Sequence, residues 1–468
     1  MTASAFEGFL STPPMLAAFD AASLLQAMLD FEAALANAQA AEGVIPQAAA
    51  SAIAGACKVD LHDTQAIVAA SGAAGSLAIP LVKALTQAVA RADPQAAGYV
   101  HWGSTSQDVI DTGMVLVERR ALALIDRDLG RLIAGLLQLA RQHGDSPVLA
   151  RTLLQPAQVV SFGFKLVAWV APLVRTRERL RLAGKAALQL QLGGAVGTLA
   201  VMGDKGPPVA RRMAEALQLK LAPGNWHTQR DEAAALACEL GILSGALGKI
   251  ARDISLMSQG EIGETAEPSG DGRGGSSAMP HKRNPVASMV ALAASMRTPH
   301  RVAAILGAMA QEHERGLGNW QAELAETAGL YVSVHGGLAA LADIASGLQV
   351  DGGRMLSNID ALKGLVFAEA VSMHFAHKLG KSNAHALLER LSQAVVRDGT
   401  HLRDLVLDAL KTDTALSGQF ETQQVAALFD AQHAAQRAIT VARPQLDALA
   451  AAARAQDQAP AWSAWLPD

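Results

Sequence analysis

The sequence predicts an all-α protein built around a long central helical bundle, and three observations carry that expectation. Half of the 468 residues are apolar, with Ala and Leu dominant, and these two lose least on entering a helix. β-Branched and aromatic runs bounded by tight turn residues are scarce, and aromatic residues make up only 4% of the chain. Apolar residues also recur at helical spacing over long stretches, as at Leu129, Leu132, Ile133, Leu136, Leu137 and Ala140.

In chain order, Asp63 and Thr64 ahead of "QAIVAA" form a helix-start signal. The stripe through 129–140 marks one long helix. Similar stripes over 161–193, 232–258, 286–310 and 322–349 predict further long helices that pack with it. In "LACELGILSGALGKI" Gly and Ala stand where a lone surface helix carries charge, which predicts burial on more than one side, against other subunits. Ser382 and Asn383 before "AHALLERL" signal another helix start. The expected organisation is an N-terminal helical domain over 1–110, a central bundle over 111–355 and a C-terminal helical domain over 356–468.

Composition narrows the function. A formal net charge of −4 and a pI near 6.4 give no basic field for nucleic acid. Residues 1–20 lack a basic stretch followed by an apolar core, and no run near 18 apolar residues is free of charge, so neither secretion nor a membrane partner is expected. Two distant cysteines, Cys57 and Cys238, have no Cys or His neighbours at metal spacing. They read as buried fillers of a cytoplasmic protein, with no metal and no cofactor.

One segment breaks the helical pattern. Gly270, Gly272, Gly274 and Gly275 fall within six positions of "GDGRGGSSAMPHKRNP", and each costs about 1 kcal/mol relative to Ala inside a helix. The segment is therefore a loop. Gly270 and Gly275 have the separation of a phosphate-binding loop, but Ser276 stands where that loop needs lysine. Serine is a weak base at neutral pH, so a catalytic Ser276 requires its alkoxide to be stabilised, and Lys282 with the loop amides can supply that. The chemistry this suggests is proton transfer at a carbon next to a carboxylate.

"GSSAMPHKRNP" resembles the signature GSSxMPxKxNP of the fumarase/aspartase superfamily, agreeing at every fixed position. "HWGSTSQDVIDT" (101–112) is similar to the superfamily's first conserved region, and "ARTLLQPA" (150–157) to its second. The resemblance covers essentially the whole chain. It implies an all-α, three-domain subunit whose central helices form a tetrameric twenty-helix core, a homotetramer with active sites shared between subunits. It also implies that Ser276 exchanges the proton on carbon and that Lys282 and Asn284 hold a substrate carboxylate. Thr105, Ser106, Thr152 and Ser277 are expected to bind substrate, with Gln229 from "WHTQRD" and Arg315 from "HERG". His101, His227, His281 and His313 are available as acids, although a lone histidine is more often structural.

Within the superfamily the second region usually carries a histidine after its Thr, where this chain has Leu153, and residues 64–100 contain no histidine. An enzyme that expels an amine must protonate it, and leucine cannot. A carboxylate needs no such proton. The expected substrate is therefore a small polycarboxylate in which one carboxylate adds across a double bond, as in the cycloisomerases of carboxylated muconates. A sulfonated muconate, an amine-releasing lyase of the adenylosuccinate lyase type, and a structural member without activity stay open as alternatives.

Overall fold

The computed structural model describes residues 5–270, 274–275, 278–279, 281–414 and 416–459. Five long helices, Ser106–His143, Phe162–Ala187, Asp231–Met257, Val286–Gly307 and Asn319–Ala345, pack side by side as a bundle. The stripe read from the sequence is the inner face of the first: Leu129, Leu132, Ile133, Leu136 and Leu137 are all buried. Small residues set the spacing between helices. A Cβ on Gly135 would lie 2.7 Å from the Ala345 Cβ, and one on Gly248 2.6 Å from the Ser295 Cβ, so any larger residue there would push the helices apart. The other side of the 231–257 helix stays open, with Ile242 half exposed.

The fold is all-α, with three two-stranded sheets added among the described residues. The largest is a hairpin, β1 (Pro147–Thr152) and β2 (Gln155–Ser161), directly after the 106–143 helix. Its two-residue turn, Leu153 and Leu154, has φ of 50° and 66°. Both residues sit in the left-handed region that such turns normally give to Asn and Gly, which is why the sequence showed no hairpin signal.

Ahead of the bundle, helix Ala21–Ala41 lies on the 106–143 helix with Met28 against Gly113. Asp63 caps Thr64–Ala74 as expected, its Oδ1 accepting from Ala66 N at 2.9 Å. The later helix begins earlier than its signal suggested. Gly380, at φ 76° and ψ 152°, ends the preceding helix, and Lys381–Asp398 then starts, leaving Ser382 and Asn383 inside its first turn. Residues around Val371, Phe375, Leu388, Leu402 and Val406 bury a small core of their own. The chain then returns through helix Ala431–Asp457, which packs on Phe162–Ala187. Arg177 and Arg181 both grip Asp126 there, and Arg177 also reaches Asp457 at 2.6 Å.

Cys57 is buried, and burial pushes its thiol up. Cys238 is only half-buried, against the expectation. Helices Asp231–Met257 and Asn319–Ala345 are long and apolar enough to cross a membrane by length and composition, although charged residues interrupt both. In place they are bundle helices, and 78% of the most apolar window of the second is buried inside the subunit.

Candidate active site

Thr105 is the extended residue that starts the 106–143 helix, and Asp108 stands three positions on. Asp108 Oδ2 accepts from Thr105 N at 3.1 Å, fixing the chain's entry into the helix. The same buried carboxylate accepts from Gly193 N at 3.0 Å, Gly194 N at 2.9 Å and His227 Nε2 at 2.8 Å. One side chain thus ties the 193–194 turn and the "WHTQR" segment to the start of the helix. His227 is fully enclosed and donates to Asp108, a structural role. His101 is held by Glu32 at 2.5 Å; burial works against its charged form, but the Glu32 carboxylate outweighs burial and raises its pKa.

Arg315 arrives from the turn after the 286–307 helix and lies across this helix start. Its Nη1 donates to Thr105 Oγ1 at 2.8 Å, its Nη2 to Ser106 Oγ at 3.1 Å and its Nε to Gln107 Oε1 at 3.2 Å. A guanidinium beside two hydroxyls is equipped to take a carboxylate, because the hydroxyl protons can turn to the anion while the arginine supplies the charge. The expected Thr105, Ser106 and Arg315 are therefore assembled directly. Gln229, two residues beyond His227, lies at the surface and donates to Asn225 O at 3.0 Å.

Beneath this group is a buried ionic cluster that the sequence reading did not find. Asp111 accepts from Arg230 Nη1 at 3.0 Å and from Trp320 Nε1 at 2.9 Å. Arg230 also pairs with Glu323 and stacks 4.7 Å over the Trp226 ring. A neighbouring cavity of about 30 Å³ is lined by Glu118 and Tyr331 among others. Burial, then the charges of Glu323 and Asp111, push the Glu118 carboxyl up to about 8, although Arg230 pulls the other way.

At the other end of the bundle, Thr152 is exposed at the hairpin tip, paired with Gln155, and the Leu153 side chain is 98% exposed. Arg151 forms a two-pronged pair with Glu264, at 3.1 and 2.9 Å, and Glu264 also accepts from Asn358 Nδ2 at 2.9 Å. Glu267 accepts from Ala287 N at 2.9 Å and Ser288 N at 2.8 Å, anchoring the glycine loop to the 286–307 helix. Within the loop, Asn284 N donates to Gly274 O at 2.8 Å. Gly274 has φ 70°, and a Cβ there would lie 2.9 Å from Asn284 O, so only glycine fits. Lys282 is exposed. Ser276 and Ser277 lie outside the described residues. Among the described residues no cluster of His, Cys, Asp or Glu is arranged to hold a metal ion.

The two groups of candidates sit at opposite ends of the subunit. Arg230, which bonds Asp111 near the start of the 106–143 helix, immediately precedes the 231–257 helix, and that helix runs to the Glu264 end. Its 27 residues span about 40 Å at 1.5 Å per residue. Thr105, Ser106, Gln229 and Arg315 are thus far from Thr152, Lys282 and Asn284. Of the residues that organise the site, Asp108 had a signal in the sequence, the capping spacing after Thr105. Gln107, Asp111 and Arg230 stand inside the "HWGSTSQDVIDT" and "WHTQRD" stretches without a signal of their own, and Glu264 lies outside both.

Candidate ligand groups at both ends of a long helical bundle, with a glycine-rich loop at one of them, describe an enzyme. A profile described as "Lyase" matches residues 9–299, and the chain belongs to this family, within the fumarase/aspartase superfamily. It is 50% identical over 421 residues to the 3-carboxy-cis,cis-muconate cycloisomerase of Bradyrhizobium diazoefficiens, covering 90% of this chain and 92% of that protein. It is 46% identical over 419 residues to the enzyme of the same name from Pseudomonas putida, covering 90% and 99%. The crystal structure of the 3-carboxy-cis,cis-muconate lactonizing enzyme from Pseudomonas putida superposes with a TM-score of 0.89 at 42% identity, covering 96% of this chain and 99% of that one.

Proposed function

We propose that this protein closes 3-carboxy-cis,cis-muconate to 4-carboxymuconolactone, an intramolecular lyase step in the protocatechuate branch of aromatic catabolism. The observation that carries the reading, beside the similarity to enzymes of that name, is Leu153. An apolar side chain caps the hairpin tip where an amine-expelling enzyme needs an acid, and a departing or attacking carboxylate needs none.

In the lactonising direction a substrate carboxylate oxygen bonds to one alkene carbon, and the electron pair of the double bond moves to the adjacent carbon. That carbon takes its proton from the Ser276 hydroxyl, which water then restores. Negative charge grows on the carboxylate conjugated with this carbon, and Lys282 faces it. One positioned donor of this kind is worth roughly 3 kcal/mol in comparable sites. Thr105, Ser106 and Arg315 hold one carboxylate. Thr152, Ser277 and Asn284 hold another, with Gln229 at the rim. Nucleophile and alkene belong to one molecule, so holding the reactive rotamer supplies much of the rate.

The site is completed between subunits of a homotetramer in the cytoplasm. Two features support completion between subunits: the separation of about 40 Å along a 27-residue helix, and the exposed apolar side chains of Ile242, Met289 and Met296 on the bundle.

The test is incubation of the purified protein with 3-carboxy-cis,cis-muconate and no added metal, following loss of diene absorbance, beside parallel assays with 3-sulfomuconate and adenylosuccinate. Rapid loss with the carboxylated substrate is expected. No loss, or release of fumarate from adenylosuccinate, contradicts the reading.

A further inference from the structure

We propose that Gln107 is the positioning residue of the Thr105–Ser106–Arg315 site, a single buried amide that fixes the plane of the Arg315 guanidinium before substrate arrives. The inference rests on reading those three residues as a carboxylate site.

The amide can point only one way. Arg315 Nε is a donor and lies 3.2 Å from one terminus of Gln107, so that terminus must be the oxygen. The other terminus faces His227 O at 2.9 Å and an Asp111 carboxylate oxygen at 3.2 Å. Both are acceptors, so this terminus must be the NH2. Chemistry alone therefore fixes the orientation, which is often ambiguous for an amide. Gln107 is 1% exposed, and no water can replace these partners cheaply.

Asp111 is itself held by Arg230 and Trp320, so Gln107 joins a buried, hydrogen-bonded cluster to the half-buried Arg315. Its two donor bonds to acceptors polarise the amide and strengthen its oxygen as an acceptor for Arg315. Thr105 and Ser106 alone cannot do this work, because each hydroxyl rotates to suit its neighbour and both are needed by the anion. Once substrate takes the Nη1 and Nη2 donors, the bond to Gln107 is the contact among these three that stays with the protein.

The test uses the full-length protein and a non-reactive probe, propane-1,2,3-tricarboxylate, titrated calorimetrically, together with KM and kcat for 3-carboxy-cis,cis-muconate. Gln107→Met removes both hydrogen-bonding roles. It should weaken the probe about tenfold, the value of one charge-assisted hydrogen bond, and raise KM more than it lowers kcat. Combined with Arg315→Met it should add little to the loss from Arg315→Met alone. Gln107→Glu keeps the acceptor but sets a second charge against Asp111. It should melt at a lower temperature than Gln107→Met and yet bind the probe more tightly.

Independent, additive losses in the double variant, or affinities that simply follow melting temperature, overturn the positioning role. A wild-type protein that binds the probe with the expected coupling but leaves the muconate unchanged supports Gln107 and contradicts the proposed reaction. Failure of the wild type to bind the probe removes the anion site and the role of Gln107 with it.

Discussion

Arg315 Nη1 donates to Thr105 Oγ1 at 2.8 Å across 210 residues of sequence. Two segments that share nothing locally are thereby brought together as the candidate anion site. Lysine in place of Arg315 keeps the charge but not the planar fork, and cannot serve Thr105, Ser106 and Gln107 together. Arg315→Lys should therefore lower kcat/KM for the muconate about tenfold to hundredfold, consistent with losing one or two charge-assisted hydrogen bonds. The melting temperature should stay near wild type. An unchanged kcat/KM would remove Arg315 from substrate binding.

Glu118 gives the fold a pH dependence. Its carboxyl is held near 8 in the folded chain, against an ordinary value of 4.5, so between those limits the folded state binds more protons than the unfolded one. Stability must then fall as pH rises from about 4.5 to about 8 and level off above. The groups facing it are Glu323, Asp111, Arg230 and Tyr331, and its ionisation adds a third carboxylate around one arginine. Glu118→Gln should flatten this slope in a series of thermal melts from pH 5 to 9. An equal slope in both proteins assigns the effect elsewhere.

Arg151 and Glu264 tie the hairpin to the root of the glycine loop, and Glu264 is fully buried. Arg151→Met leaves that carboxylate with only the Asn358 amide as a side-chain partner. It should cost about 3 kcal/mol in urea unfolding, the usual penalty for stranding one member of a buried pair. The double variant Arg151→Met with Glu264→Leu should recover much of that loss. A double variant no better than the single one would show that the two residues act separately.

The Leu153–Leu154 turn holds two bulky residues at positive φ, each strained by roughly 1 kcal/mol. Leu153→Asn with Leu154→Gly matches the turn's preference and should raise stability in urea unfolding. Turnover should fall in the same protein if, as proposed, these exposed leucines face the site completed by a neighbouring subunit. A rise in stability with full activity would make the leucines incidental.

Much of the scaffold was legible because Ala- and Leu-rich stripes have few ways to be buried. The 129–140 pattern is the inner face of the Ser106–His143 helix, and Asp63 caps where its spacing indicated. The hairpin was hidden because Leu153 and Leu154 carry no turn signal. The start at Lys381 was misread because Gly380, rather than Ser382 or Asn383, sets the break. Thr105, Ser106 and Arg315 were legible through motifs. The roles of Gln107, Asp111, Arg230 and Glu323 were not, although the first three stand inside quoted stretches, because those roles exist only once segments 93 to 120 residues apart are folded together. Nor does any motif reveal that one subunit holds its two sets of candidates at opposite ends.

That separation offers the most direct test. Arg315→Met removes the anion site at one end of the bundle and Lys282→Met the loop cation at the other, so each variant alone should be nearly inactive on 3-carboxy-cis,cis-muconate. If sites form between subunits, unfolding and refolding the two variants as a mixture produces some sites with both ends intact. The account predicts substantial lactone formation by the mixture and almost none by either variant refolded alone. A mixture no more active than its components would contradict it.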